Sequence, residues 1–472
     1  MRHLEALTGG LSRRAAIQRT LLPVMLGWFA DEADPDAGLL AFRQISDSLG
    51  TTHWYLKMLR DEGSAAERLA HVLARSRYAA DLLTRAPESV AILGDAAGMT
   101  PRSRKALLAT MTAATRRKDT ADDAMTAARV VRRQELFRIA VADLTGALDL
   151  AGVGAALTDL TSATLQSALD IAIRAVEAEL DRPLGTRLLV VGMGRLGGGE
   201  MGYGSDADVM FVHRADDGVD ETDAQKHATL VVLEVKRLLG VAGPDPQLVI
   251  DPDLRPEGKS GPLVRSLAGY AAYYERWALT WETQALLRAA PVAGDADLGQ
   301  AFCDLINPIR WPQGGVSAHA IREIRTLKAR MESERLPRGA DPKTHFKLGL
   351  GGLSDVEWTA QLVQLCHSWE IEALRTTGTL AVLEAAGEAG LIRPADVETM
   401  AQAWTFVSSL RNASVLWRGR PVEALPSDLR DADGIGRIVG REAGQGTELA
   451  EVYRRLTRRA RAAVIFNFYE SS

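Results

Sequence analysis

The chain has 472 residues, 46% hydrophobic and 25% charged, which is ordinary for globular protein and long enough for about two to four domains. With 56 basic against 61 acidic residues the net charge is −5, which excludes a broad basic surface for coating nucleic acid. No apolar run reaches the roughly 18 residues of a membrane span, and no charged segment followed by an apolar core opens the chain, so a soluble cytoplasmic protein is expected.

Residues 1 to about 185 read as successive helices rich in Ala, Leu and Arg, with breakers at Asp34-Pro-Asp-Ala-Gly38 and Arg85-Ala-Pro87. Ala65 to Leu83 places Leu69, Val72, Leu73, Tyr78 and Leu82 at helical spacing, and Asp123 to Gly146 behaves similarly. Arg116-Arg-Lys118 and the group Arg129, Arg132 and Arg133 are expected on solvated helix faces. From Ser162 a helix runs to Leu180, Pro183-Leu-Gly185 breaks it, and two apolar strands follow at Arg187–Val191 and Asp208–His213. A helix over Thr222–Leu239 and a third strand at Gln247–Asp251 complete a compact α/β unit. Beyond Arg255 long helices are expected at Ser266–Ala290, Gly315–Arg335 and Ser354–Ser368. Cys303 and Cys366 lie far apart in apolar contexts without metal-ligand spacing, as buried reduced thiols would. The divisions expected are a helical region at 1–160, an α/β domain at 161–295 and a helical bundle at 296–472.

The densest chemical signal is Arg187 to His213, RLLVVGMGRLGGGEMGYGSDADVMFVH. Asp206 and Asp208 open the second strand two residues apart, so both project from one face with Cα atoms about 6.6 Å apart. Hard oxygen ligands beside a glycine-rich turn suit magnesium held against nucleotide phosphates, which backbone N–H groups can cradle. Gly192-Met-Gly194-Arg-Leu-Gly197 also matches the GxGxxG of dinucleotide-binding units, but the glycine-dense stretch that follows lacks the apolar crossover helix such a unit needs. Alternation along the third strand puts Gln247, Val249 and Asp251 on one face, so neighbouring strands would bring three carboxylates together. Three aspartates can hold two divalent ions about 3.5 to 4 Å apart for in-line nucleotidyl transfer. Arg195 in the turn, with Arg255 and Lys259 after the third strand, offers cations for phosphate charge.

These residues resemble the glutamine synthetase adenylyltransferases of the polymerase-β-like nucleotidyltransferase superfamily. The resemblance rests on Gly194-Arg-Leu-Gly-Gly-Gly-Glu-Met-Gly-Tyr-Gly-Ser-Asp-Ala-Asp208, Asp251-Pro-Asp-Leu-Arg-Pro-Glu-Gly258, Trp281-Glu-Thr-Gln-Ala-Leu-Leu-Arg288 and Lys347-Leu-Gly-Leu-Gly-Gly-Leu-Ser-Asp-Val-Glu357. It implies a mostly α protein with an embedded α/β nucleotidyltransferase domain, flanked by helical bundles. It makes Asp206, Asp208 and Asp251 the catalytic metal-binding triad, and Gly194, Arg195, Gly197, Gly198, Ser205, Arg255 and Lys259 the nucleotide-binding set. The implied reaction is transfer of AMP from ATP to a tyrosine hydroxyl of glutamine synthetase, with magnesium or manganese as cofactor and pyrophosphate as product. A PII-type signal protein and glutamine are the implied regulators in nitrogen assimilation.

Two departures from the family pattern stand out. Arg195 replaces the usual lysine, and Asp253 occupies the place of an arginine in Asp-x-Arg-Leu-Arg-Pro, which makes Asp253 an alternative ligand to the expected Asp251. Lys347, Asp355 and Glu357 fit either the site or a charged helix start. Full-length relatives of this kind are duplicated, one half attaching AMP and the other removing it by phosphorolysis. The chain carries one such unit, with residues 1 to about 160 resembling the segment that joins the halves. Gly202-Tyr-Gly-Ser-Asp206 resembles the attaching half, the removing half being the alternative. Other rivals are an RNA-tailing or small-molecule nucleotidyltransferase, the former disfavoured by the lack of a basic, aromatic surface, and a non-catalytic helical interaction module.

Overall fold

The computed structural model describes residues 2–470 apart from positions 10, 12, 51 and 244. The chain is mostly helical around a small mixed sheet, and among the described residues no helix is long and apolar enough to cross a membrane. The sheet comprises β1 (Thr186–Gly192), β2 (Ala207–Ala215), β3 (Ile250–Asp251), β4 (Val264–Ser266) and β5 (Ala290–Gly294). β1 pairs antiparallel with β2 on one side and β5 on the other, and β3 and β4 both run parallel to β2 along its far edge.

Alternation along the two central strands explains why both faces are covered. Leu188, Val190, Val209 and Phe211 join the large core with the helices Leu150–Leu180 and Glu221–Gly240. Leu189, Val191, Met210 and Val212 face the other way, onto Tyr270, Tyr273, Phe302 and Ile306 from the helices Leu267–Trp277 and Ala296–Arg310. Asp206 and Asp208 share the parity of Met210, so the two carboxylates leave the same face at the strand's entrance. The helices after residue 316 build a separate core around Phe346, Leu353, Trp404, Trp417 and Tyr453.

Several expected elements change length for identifiable reasons. The helix expected over Ala65–Leu83 is two, Gly63–Arg75 and Arg77–Arg85, because Ser76 turns extended, caps the second helix by accepting from the Ala79 amide, and donates to the Leu416 carbonyl. The single helix expected at Ser266–Ala290 is divided. Residues 264–266 form β4, helices follow at Leu267–Trp277 and Thr280–Leu286, and Ala290 begins β5. There Glu282 reaches back to the Leu279 amide at 2.9 Å and restarts the helix, while Pro291 is tolerated at an edge strand. Of the third strand expected at Gln247–Asp251 only the last two residues pair as strand, although the Val249 carbonyl accepts from the Ala207 amide at 2.8 Å. The helices expected at Gly315–Arg335 and Ser354–Ser368 form as Ala318–Glu334 and Leu353–His367. Cys303 and Cys366 are free thiols but half-buried rather than buried.

The arginines at 129, 132 and 133 also correct the expectation of a solvated face, whereas Arg116, Arg117 and Lys118 are exposed as expected. Arg129 donates to the Leu238 carbonyl at 2.6 Å and to that of Val241 at 3.1 Å. Arg132 donates to the Pro246 carbonyl, and Arg133 pairs with Asp245 at 3.0 Å. Three guanidiniums from the helix Ala121–Leu144 thus pin the segment that leads into β3. Removing one in Arg132→Ala is expected to cost about 1.5 to 3 kcal/mol, the worth of a charge-assisted hydrogen bond, and to open residues 241–248 to limited proteolysis. Unchanged melting and an unchanged cleavage map would show that the tether does not hold this segment.

Candidate active site

The site begins where β1 ends. The Met193 amide donates to the Asp208 carbonyl at 2.8 Å, and Gly194–Gly197 coils into a single helical turn against β2. Gly194 has φ +51°, and a Cβ there would lie 2.3 Å from Oδ2 of Asp208. At Gly197 a Cβ would meet the Arg288 carbonyl at 1.8 Å. These two glycines are therefore required by close approach, one to a carboxylate and one to backbone. Gly198 continues the turn, and Ser205 closes the next one by accepting from the Gly202 amide at 3.1 Å.

Strand register brings the carboxylates together. Asp208 is the direct partner of Asp251 across the parallel β2–β3 pair, with Asp206 two residues before it on the same face. One oxygen of Asp251 accepts from the Asp253 amide at 2.8 Å, which leaves the other available. Burial and the neighbouring Asp251 raise the pKa of Asp206, against the pull of Arg411 and Lys347. Burial also raises Asp208, to about 6, with Asp251 and Asp206 adding to the effect and Lys347 opposing it.

Among the described residues neither Asp206 nor Asp208 has an ion-pair partner within 4.0 Å, and no three His, Cys, Asp or Glu side chains are gathered tightly enough to clasp an ion. Carboxylates aligned by register, two of them raised in pKa chiefly by burial, fit divalent metal binding in charge and in oxygen donors.

The expected phosphate cations are placed differently from the carboxylates. Arg195 pairs with Glu357 at 3.5 Å, donates to Ser408 at 3.3 Å and lies over the ring of Trp404. Arg255 is buried and donates to the carbonyls of Pro252, Lys259 and Gly261, folding the loop that follows β3. Lys259 is 84% exposed and pairs with Asp253 at 3.3 Å, while Arg255 stands 3.6 Å from the same carboxylate. Asp253 is thus engaged by two cations and lies outside the register pair, which favours Asp251 as the ligand.

Tertiary structure adds residues that the local pattern leaves open. Lys347 is the strongest attractive charge on Asp208, and Arg411 is that on Asp206. Glu357 lies between Arg195 and Arg288, where these cations and Lys347 outweigh burial and hold its carboxyl below the usual range. Arg288 is buried, donates to Glu200 and to Thr379, and backs the turn at Gly197 and Gly198. Asp355 belongs elsewhere: it is buried with Lys328 at 2.6 Å and Arg461 at 2.9 Å. The matching block at Lys347–Glu357 signalled Lys347 and Glu357, but nothing local marked Arg411, which sits on the long helix Pro394–Arg418.

Comparison with known proteins gives the chain a family. Residues 66–304 match the family model for glutamate-ammonia ligase adenylyltransferase. The chain belongs to this family. Residues 325–465 match the model for GlnD PII-uridylyltransferase. Similar relatives are the bifunctional glutamine synthetase adenylyltransferase/adenylyl-removing enzymes of Streptomyces coelicolor, 56% identical over 99% of this chain and 48% of the relative, and Streptomyces avermitilis, 54% identical over the same shares. That of Mycobacterium tuberculosis is 48% identical over 98% of this chain and 47% of the relative. The chain therefore spans about half the length of these relatives.

Two outcomes follow from the carboxylate group. Asp208 titrates near 6 in the fold and near 3.8 unfolded, so the folded state holds the extra proton between these values and metal-free stability falls as pH rises through them. Asp208→Asn should melt higher than wild type by the equivalent of about 1 to 2 kcal/mol above pH 6 without metal, and show no advantage below pH 4. The stabilisation of wild type by magnesium should grow from pH 5 to 7 and vanish in the variant; an equal magnesium shift in both would remove Asp208 from the ligand set. Asp251→Asn should likewise weaken magnesium binding by about tenfold or more while Asp253→Asn does not, measured by calorimetry, and the reverse pattern would shift the ligand by two residues.

Proposed function

We propose that this chain transfers AMP from ATP to a tyrosine hydroxyl of glutamine synthetase, on a nucleotidyltransferase unit of polymerase-β-like architecture. The observation that carries this reading is the Asp208–Asp251 register pair, with Asp206 beside it and Gly194 pressed against Asp208. The family and the names of the relatives support the same reaction class. The proposed organisation is an N-terminal helical region at 1–160, the catalytic unit at 161–295 and a helical bundle at 296–472.

The glycine turn, Gly194, Gly197 and Gly198, receives the triphosphate on its backbone N–H groups, with Ser205 close by. Asp206, Asp208 and Asp251 hold the divalent cations, magnesium or manganese, which when bound neutralise the triphosphate. Lys347 adds positive charge at Asp208, and Arg195 and Arg288 stiffen the turn from behind through Glu357 and Glu200. Arg255 and Lys259 shape the loop that carries Asp251. The tyrosine oxygen bonds to the α-phosphorus, the bridging oxygen leaves with pyrophosphate and its electron pair, and the hydroxyl proton passes to the free oxygen of Asp251. We assign this work to the cytoplasm. A PII-type signal protein and glutamine are the proposed regulators, and the match of residues 325–465 supports the former.

Intact-mass analysis of glutamine synthetase after incubation with the chain, ATP and magnesium tests the reaction. Each of Asp206→Asn and Asp208→Asn should slow the gain of AMP by about a hundredfold or more with the fold preserved, and a folded variant with full activity would refute the assignment. Direction is tested by supplying AMP-modified glutamine synthetase with orthophosphate. Faster loss than gain under matched saturating conditions would make this unit the removing half.

A further inference from the structure

A cavity of about 410 Å³ opens beside Asp206, within the size range of small-ligand pockets, roughly 300 to 1,000 Å³. Its catalytic wall is formed by residues 201–206 and by the segment leading into β3, and no residue of the glycine turn 194–198 lines it. The opposite wall comes from the N-terminal helices. Tyr78 is 5% exposed there, and its hydroxyl oxygen has no hydrogen-bond partner. Its ring packs against that of Tyr203 at 5.4 Å, and Leu160 continues the apolar surface. A buried hydroxyl without a protein partner is costly, and a polar group that enters the cavity beside it would relieve that cost. Arg85 and Arg420 stand at the rim, both exposed and without an ion-pair partner among the described residues.

We infer that this cavity is the acceptor side of the site, and that it takes the tyrosine-bearing segment of the protein substrate. The inference rests on the proposed transfer reaction. In-line displacement brings the nucleophile in opposite the leaving group. The glycine turn receives the leaving pyrophosphate, so the hydroxyl must come to Asp206 from a region that the turn does not line, and this cavity is such a region. Its aromatic and aliphatic walls accept a phenol ring, the Tyr78 hydroxyl meets a polar group of the entering backbone, and Arg85 and Arg420 attract carboxylates flanking the acceptor.

Steady-state kinetics on glutamine synthetase and ATP, each varied separately, tests the assignment with Tyr78→Phe and the rim variant Arg85→Glu/Arg420→Glu. Tyr78→Phe removes only an unpartnered oxygen, so a purely structural role predicts equal or higher thermal stability and no kinetic change. The expected result is a KM for glutamine synthetase raised about fivefold or more in each variant, the effect of one lost hydrogen bond or charge contact, with the KM for ATP within about twofold of wild type. A raised KM for ATP with that for glutamine synthetase unchanged would give the cavity to the nucleotide, and no change in either would remove it from substrate binding; both outcomes overturn the inference. Failure of wild type to modify glutamine synthetase in either direction would instead refute the proposed reaction itself, and this inference with it.

Discussion

Negative charge brought together by strand register is the constraint on which the site depends. The β2–β3 register sets Asp208 across from Asp251, and strand alternation adds Asp206. Burial first, and then the neighbouring Asp251, raises the pKa values of Asp206 and Asp208. The glycine turn packs directly against this group, with no space for a side chain between Gly194 and Asp208.

Rigidity around this group comes from an ion-pair chain that crosses between otherwise separate cores. Glu200, Arg288, Glu357 and Arg195 alternate in sign, and they connect the turn to Thr379 and Trp404 in the C-terminal helices. Buried arginines satisfied by carboxylates on two elements fix the relative position of those elements, because withdrawing either partner leaves a desolvated charge. The C-terminal region thus reaches the carboxylate group through Lys347, in the turn before Leu353, through Arg411 and through this chain.

The N-terminal helices act from the other side. Arg129, Arg132 and Arg133 hold Leu238, Val241, Asp245 and Pro246 and so steady the approach to β3, a strand of two residues that could not define its own register alone. Tyr203 reaches back in turn, donating to Asp143 at 2.9 Å, where burial raises that carboxyl to about 6. The loop between the glycine turn and Asp206 is therefore anchored on the helix that also carries the three arginines.

Elements with strong periodicity and chemistry with fixed spacing can be read from the chain's residues alone. The helices, β1 and β2, the shared face of Asp206 and Asp208 and the glycine turn were legible because each follows from neighbours within a few residues. Tertiary structure decided what depends on distant partners. Ser76 breaks a periodic helix to reach Leu416, β5 forms because β1 offers it an edge, and Arg195, expected near phosphate from its place in the turn, is paired with Glu357 and lies over Trp404. Arg132 reads as a surface cation until the Pro246 carbonyl is beside it. A long charged side chain has enough reach and enough rotamers to serve several partners, so its role is set by which carbonyl or carboxylate the fold brings near, and local sequence does not carry that information.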